Sequence, residues 1–180
     1  LAKLTATGTK DATTFLRGDN TFASAQGIFE SQLLHVRDEK SNNTYGGTFT
    51  SGAWQKRDLN TVKTNEITGA SLSSSVITLP AGTYYIEASA PAIEVNAHKA
   101  KLYNTSDSSD VIIGTSQHNR SDNNYASSRS IVAGRFTISA QKNFELQHRC
   151  VATRGADGLG FASNFSVVEV YSDVKIWKVA

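Results

Sequence analysis

The segment Gly82-Thr83-Tyr84-Tyr85-Ile86-Glu87-Ala88-Ser89-Ala90 carries the clearest structural signal in this chain. One set of alternate positions holds apolar side chains, those of Tyr84, Ile86, Ala88 and Ala90. The intervening positions include Thr83, Glu87 and Ser89. A period of two is that of a β-strand with one buried face, because successive side chains point to opposite sides of a sheet. The segment therefore predicts a strand that covers a hydrophobic core.

The same alternation recurs further along the chain. Three shorter segments predict strands with one buried face, carried by His98, Ala100 and Leu102; by Phe136 and Ile138; and by Phe144, Leu146, His148 and Cys150. Residues 165–179 predict a longer strand with bulk on both faces. One of its faces carries Val168, Val170, Val174 and Ile176, and the other carries Tyr171 and Trp177.

Turn-forming residues separate these segments. Connectors rich in Ser, Asn, Asp and Gly lie at residues 41–44, 104–110, 121–124 and 154–158. Residues 26–34 fit either a short helical turn or the start of a strand, and no segment has the sustained 3.6-residue period of a helix. Many short strands joined by such turns predict an all-β antiparallel sandwich or barrel. The absence of an internal repeat argues against a propeller or a solenoid.

Composition limits the class of protein. With 180 residues and 39% hydrophobic content, the chain suffices for one domain that buries about 70% of its unfolded surface. Its 18 basic and 16 acidic residues leave a formal net charge of +2 without a run of one sign, which argues against a nucleic-acid partner. No apolar run approaches the roughly 20 residues that cross a bilayer, so we expect no membrane insertion. The lone Cys150 excludes an intramolecular disulfide, and the lack of Met, even at position 1, suggests that more sequence precedes Leu1.

The N-terminal segment has a different composition. Phe15, Leu16 and Phe22 flank the turn-forming Gly18-Asp19-Asn20 in a stretch otherwise made mainly of Thr, Ala, Gly and Lys. Thr14-Phe15-Leu16-Arg17-Gly18-Asp19-Asn20-Thr21-Phe22 resembles the T-F-L-R-G-D-G-T-W signature near the shaft-to-head junction of bacteriophage tail fibres, and departs from it at Asn20 and Phe22. The resemblance implies a fibre collar at residues 1–25 and a head at residues 26–180. Arg17-Gly18-Asp19 also spells an adhesion tripeptide, although the turn already accounts for its glycine and aspartate.

Three blocks within the head carry a second resemblance. Residues 46–61, 77–86 and 144–148, followed by the closing residues 167–177, resemble the C1q/TNF-like head domains of phage and other viral structural proteins. The resemblance covers most of residues 33–180 and implies a jelly roll of about ten strands that assembles as a homotrimer. In such a trimer the candidate contacts between subunits are Phe15, Leu16, Tyr171 and Trp177.

The sequence offers little for catalysis. Asp107, Asp110 and Asp122 lie in Ser- and Asn-rich loops, where solvated turns explain them better than an acid–base pair does. No serine lies in a Gly-x-Ser-x-Gly turn. Cys150 shares a strand face with His148, and we interpret it as a buried small side chain rather than as a nucleophile. We predict no enzyme.

Metal and cofactor sites are equally poorly supported. The four histidines are dispersed, without the spacing of zinc ligands, and the aspartates form no calcium-loop signature. Three copies of one histidine on a trimer axis would be the remaining route to a metal. We predict neither a metal nor a cofactor.

The predicted topology assigns the loops to two ends. If the C-terminus lies at the base, as the resemblance implies, the alternation of antiparallel strands brings residues 39–47, 92–97, 116–128 and 153–163 to the free tip. Amides, charged groups and an aromatic ring there suit a carbohydrate. The candidate binding residues are His118, Asn119, Arg120, Asn123, Asn124, Tyr125, Arg154 and Asp157.

These inferences converge on one hypothesis. The chain is interpreted as the non-enzymatic receptor-binding head of a viral tail fibre, made in the host cytoplasm and carried on the virion. It would attach the virion to a host glycan or protein. The alternatives are a structural trimerisation or decoration module of a virion, a glycan depolymerase, and a cellular C1q/TNF-like ligand.

Overall fold

The computed structural model divides the chain into two compact units, Leu1–Ser31 and Gln32–Ala180. The residues that it describes are 7–9, 14–16, 18, 20–24, 32–120 and 125–179.

The first unit contains a β-hairpin. Strand β1 (Thr14–Leu16) pairs antiparallel with β2 (Phe22–Ser24), and Leu16 lies opposite Phe22. Asn20 has a φ of 63°, a left-handed conformation that asparagine tolerates well, so the turn predicted around it is present. Leu16, a candidate trimer contact, is 41% exposed. The side chain of the other candidate, Phe15, lies outside the described residues, as do Arg17 and Asp19.

The described residues of the second unit form twelve strands and include no helix. The strands are β3 (Gln32–Lys40), β4 (Gln55–Lys56), β5 (Thr61–Asn65), β6 (Ser71–Ser73), β7 (Val76–Leu79), β8 (Gly82–Ile93), β9 (Asn96–Asn104), β10 (Ser109–Ile113), β11 (Gln117–Asn119), β12 (Ser127–Ile138), β13 (Lys142–Cys150) and β14 (Glu169–Lys178).

Two antiparallel sheets face each other. One has the strand order β12-β8-β14-β3-β5. The other has the order β10-β9-β13-β7-β6, with β11 added to β9 and β4 added to β13. The predicted jelly-roll sandwich is therefore confirmed, with twelve strands in place of about ten. The ambiguous residues 32–34 begin β3.

The core lies between the sheets where the alternation predicted it. Leu34, Tyr84, Ile86, Leu102 and Phe144 are fully buried and belong to one hydrophobic cluster. A second, smaller cluster consists of Phe49, Ala92, Val95 and Cys150, with Leu159 packed against it. Burial of this apolar surface is the main favourable contribution to folding.

The outer face of the second sheet is partly covered by a tryptophan. Trp54 precedes β4, and its ring lies 4.4 Å from the Nζ atom of Lys101 on β9. The same ammonium lies 4.7 Å from the Tyr103 ring and pairs with Asp110. Lys101 is therefore only 5% exposed although it points away from the core.

Strand β14 departs from simple alternation. Its pairing with β3 shifts register between Val170 and Asp173, as at a β-bulge, which places an extra residue in one strand. Tyr171 and Ser172 are consequently both buried, whereas Trp177 stays partly exposed on the outer face. The prediction that Tyr171 shares a face with Trp177 and contacts a neighbouring subunit is wrong, since Tyr171 fills the interior of its own subunit.

A glycine makes room for the Tyr171 ring. Gly160 has a φ of 145°, and a Cβ atom there would overlap the ring. The ring cannot swing away freely, because its hydroxyl donates a 2.6 Å hydrogen bond to the carbonyl oxygen of Thr44.

We predict that Gly160→Ala lowers the free energy of unfolding by about 3 kcal/mol, through overlap with Tyr171 and backbone strain. Gly155→Ala is the matched control, because a Cβ there meets nothing within 4 Å, and it should change stability by less than about 0.5 kcal/mol. Urea unfolding of both variants provides the measurement. Equal stability of the two variants would contradict the close contact between Gly160 and the Tyr171 ring.

Candidate binding surface at one end of the sandwich

The strand directions bring four connections to one end of the sandwich. Ser127 of β12 lies opposite Ile93 of β8, Asn119 of β11 lies opposite Asn96 of β9, and Phe49 bridges to Arg154. The four connections are residues 41–54, residues 94–95, residues 114–120 together with 125–126, and residues 151–168. We call this end of the sandwich the loop end. Strand β3 starts and β14 finishes at the opposite end, where Gln32 pairs with Lys178.

Three exposed aromatic rings meet at the loop end. The Phe161 ring centroid lies 5.0 Å from that of Tyr45 and 5.4 Å from that of Tyr125. The rings are tilted by 49° and 74°, geometries that aromatic pairs favour. Tyr45 is 42% exposed, Phe161 47% and Tyr125 60%. We call these three residues, each from a different connection, the aromatic cluster.

An ionic group adjoins the aromatic cluster. The guanidinium of Arg154 lies 6.0 Å from the Tyr125 ring centroid. Its Nε donates to Asp157 at 2.7 Å, and its NH1 group lies 2.5 Å from an Oε atom of Glu94. The hydrogen bonds from Arg154 hold the pKa of Asp157 below its usual value. Both carboxylates are nearly buried, so Arg154 is held in place from the interior side.

Tyr125 is held in an uncommon backbone conformation. Its φ is 53°, a left-handed value that costs roughly 1–2 kcal/mol for a residue of this kind. The backbone N–H of Tyr125 donates a 2.6 Å hydrogen bond to Glu94 Oε1, which fixes that conformation. Strain of this sort is concentrated at functional sites. Six of the eleven non-glycine residues with positive φ in the described chain lie at the loop end: Asn43, Glu94, Tyr125, Ala156, Asn164 and Ser166.

A third carboxylate organises the segment that follows the aromatic cluster. Glu169 accepts hydrogen bonds from the backbone N–H groups of Ser163, Asn164 and Asn43. These hydrogen bonds lower the pKa of Glu169 to about 2. Glu169 is therefore ionised near neutral pH, and its hydrogen bonds hold the connection into β14 against the turn after β3.

The predicted binding residues divide into three groups. Tyr125 lies in the aromatic cluster, and Arg154 and Asp157 lie beside it. His118 and Arg120 are exposed at the same end, whereas Asn123 and Asn124 lie outside the described residues.

Asn119 corrects the prediction. It is 4% exposed, its Oδ1 accepts a hydrogen bond from the backbone N–H of Val95, and its Nδ2 donates to the carbonyl oxygen of Ala92. Asn119 therefore braces the turn between β8 and β9, and a ligand cannot reach it. Its polar side chain in a loop suggested exposure, but the unpaired backbone groups of the turn require it inside.

Tyr45 and Phe161 are absent from the predicted set. Both lie within the loop ranges that the predicted topology brings together, and each is aromatic beside a glycine, Gly46 or Gly160. A search of those ranges for aromatic side chains would have found them.

A polar layer lies beneath the loop end. Arg57 is 1% exposed, and its guanidinium donates to Ser172 Oγ at 2.8 Å, to the carbonyl oxygen of Pro91 at 3.2 Å and to that of Leu159 at 2.9 Å. Burial lowers its pKa to about 10, which leaves it charged at neutral pH.

Two histidines belong to the same layer. His98 Nδ1 lies 2.9 Å from His148 Nε2, and His98 Nε2 lies 2.8 Å from Ser128 Oγ. Burial, reinforced by the charge of Arg57, lowers the pKa of His98 to about 4 and that of His148 well below its ordinary value.

The hydrogen bonds that link Ser128, His98 and His148 follow the order of a nucleophile, its base and an orienting group. The burial of the two histidines nevertheless opposes nucleophilic catalysis. Acyl transfer requires the central imidazole to become an imidazolium, and burial beside Arg57 disfavours that cation. Burial also raises the pKa of Cys150 to about 11, so its thiol is not activated. We infer that these groups are structural.

The described residues contain no group of three or more His, Cys, Asp or Glu side chains suited to a metal ion. Within the same residues there is no helix long and apolar enough to span a bilayer.

Comparison with known proteins identifies the fold. No protein-family model matches the chain, and no curated protein does. Among solved structures, murine APRIL has a TM-score of 0.54 at 8% identity, covering 83% of this chain and 100% of its own. Eiger TNF from S. frugiperda has a TM-score of 0.54 at 11% identity, covering 83% and 93%. The globular domain of zebrafish complement 1qA has a TM-score of 0.49 at 15% identity, covering 84% and 98%. The two closer superpositions confirm the predicted C1q/TNF-like jelly roll.

The buried histidines predict an acid-sensitive fold. Their folded-state pKa values are lowered, so the unfolded chain binds more protons below pH 6.5 and stability falls as pH falls. Between pH 6.5 and 5 we expect the free energy of unfolding to decline, with a slope approaching about 1.4 kcal/mol per pH unit for each ring. Denaturant unfolding at closely spaced pH values measures the slope, which His98→Gln should reduce. A pH-independent stability over this range would contradict the burial of neutral histidines.

The strain at Tyr125 predicts a mild effect of Tyr125→Asn on stability. Asparagine tolerates the left-handed conformation, which offsets the lost ring contact, so we expect stability within about 1 kcal/mol of wild type. The contrasting variant Tyr85→Asn, in the regular strand β8, should destabilise by about 2 kcal/mol, because asparagine disfavours strands and the ring contact with Trp177 is lost. Thermal unfolding distinguishes the two. A loss above about 2 kcal/mol for Tyr125→Asn would mean that the ring supports the fold.

Proposed function

We propose that this chain is the non-enzymatic, homotrimeric receptor-binding head of a viral fibre, which attaches the virion to a host-cell surface through the loop end. The aromatic cluster is the observation that carries this proposal. Three large rings lie together half-exposed, although such rings would contribute more to stability inside the core, and one of them, Tyr125, is held there by a strained backbone and the buried Glu94. Binding a partner explains their exposure.

The outer face of the β12-β8-β14-β3-β5 sheet is the proposed trimer contact. It carries Tyr85 and Trp177, whose ring centroids lie 6.1 Å apart, and Ile131, which is 41% exposed. Between subunits these apolar groups would form the contact, with Trp177 in the role proposed from the sequence.

Ionic groups lie on the same face. His35 Nε2 lies 2.9 Å from Asp173 Oδ1, and Arg37 Nε donates to Asp173 Oδ2 at 3.1 Å. These three ionic groups would fix how the subunits are oriented against one another, since complementary charges across an interface determine its register more than its affinity.

The N-terminal hairpin supports the viral part of the proposal. Its Thr14-Phe15-Leu16-Arg17-Gly18-Asp19 sequence resembles the phage collar signature, and β1 and β2 flank the turn expected there. A cellular TNF-like ligand is the second candidate, because Eiger TNF shares the fold. Binding of the head to bacterial rather than animal cells would decide between them.

We predict that Ile131→Asp converts the trimer into monomers, because a carboxylate would be desolvated at the contact. Ile113→Asp is the matched control, since Ile113 is 52% exposed but lies on β10 of the other sheet. Size-exclusion chromatography with light scattering measures the mass of each. A monomeric wild type, or a trimeric Ile131→Asp variant, would refute the proposed contact.

Attachment is tested with the same proteins. The labelled wild-type trimer should bind susceptible cells, and the Ile131→Asp monomer should bind at least about 100-fold more weakly through loss of avidity. A stable trimer that binds no cell type would instead favour a structural trimerisation or decoration module.

A further inference from the structure

We propose that the aromatic cluster is a binding site for an uncharged saccharide, whose ring packs against Phe161 between Tyr45 and Tyr125. This inference rests on the proposed function, because it names the ligand class of the same loop end. The apolar C–H face of a neutral sugar packs on aromatic rings, while its hydroxyls stay near polar loop groups.

The area of the cluster suits a sugar better than a protein. A buried aromatic side chain covers roughly 150–250 Å², so three half-exposed rings offer on the order of 300 Å². A standard protein interface covers about 800 Å² on each partner. The cluster is therefore comparable with one or two sugar rings and smaller than a whole protein interface.

The charges beside the Tyr125 ring disfavour an acidic sugar as the ligand. Arg154 is the cation that lies against the cluster, at 6.0 Å from the Tyr125 ring. It is paired with two carboxylates, those of Glu94 and Asp157, so one positive and two negative charges leave a formal charge of −1. A sialic acid or uronic acid carboxylate would meet net repulsion at this place.

The cluster is organised before a ligand arrives. Glu94 fixes the backbone of Tyr125 and also pairs with Arg154. Gly160, immediately before Phe161, is fixed by its close approach to the buried Tyr171 ring. Binding to a surface that is already ordered avoids part of the entropic cost of ordering loops.

The test is ligand-observed and protein-observed NMR on the 180-residue trimer. The neutral probes are the methyl glycosides of galactose, glucose and mannose, and 3′-sialyllactose is the anionic probe. We expect at least one neutral glycoside to bind with a Kd of about 1 mM. A ligand of roughly a dozen non-hydrogen atoms can attain this affinity on a shallow surface. Sialyllactose should bind no more tightly than its neutral lactose counterpart.

The variant series locates the site. Phe161→Ala should weaken binding of the neutral sugar at least about tenfold, with the trimer and the thermal unfolding midpoint retained. Phe165→Ala is the matched control, because Phe165 is 78% exposed, lies at the same end, and makes no ring contact with the cluster. It should change the Kd by less than about twofold.

Several results would overturn the inference. These are the absence of binding by any neutral glycoside, preferential binding of sialyllactose that depends on Phe161, and equal binding by Phe161→Ala and wild type. Cell attachment that requires Phe161 but is removed by protease and not by periodate would assign the cluster to a protein partner. If Phe161→Ala still attaches to cells as wild type does, the saccharide site is refuted while the proposed attachment function stands.

Discussion

The loop end of this jelly roll depends on one buried cation, Arg57. Arg57 is held by neutral oxygens of β14, β8 and the connection between β13 and β14. Desolvating a guanidinium is costly, and it is tolerated when each donor direction meets an acceptor. Its side chain satisfies the carbonyl oxygens of Pro91 and Leu159, and its backbone N–H donates to the carbonyl oxygen of Leu146 on β13, so Arg57 fastens the loop end to both sheets.

The same charge explains why the layer beneath the loops is polar without being reactive. Along β13, His148 lies between Leu146 of the main core and Cys150 of the smaller cluster, so the layer separates two hydrophobic clusters. Burial, and to a smaller extent the charge of Arg57, keeps His98 and His148 neutral by lowering their pKa values. Hydrogen bonds among these rings and Ser128 then link β9, β13 and β12 directly beneath the strained loops.

The sequence predicted those features that depend on local pattern. Alternation located the buried faces of β8, β9 and β13, and antiparallel connectivity indicated which loops meet. It could not predict the bulge in β14, because the place of Tyr171 is set by Gly160 and Thr44, which are distant in the chain. Nor could it predict the burial of Arg57, since Lys56-Arg57-Asp58 has the pattern of a solvated charged turn. Asn119 was misassigned for a related reason: its partners, the backbone groups of Ala92 and Val95, become visible only once the turn is folded.

The placement of the two tryptophans has an optical consequence. Trp54 lies against Lys101 on one sheet, and Trp177 lies beside Tyr85 on the outer face of the other. Each sheet therefore carries its own intrinsic fluorophore, and the cation beside Trp54 gives the two indoles different surroundings. Emission from Trp177 reports on events at its face, while Trp54 serves as an internal reference within the same molecule.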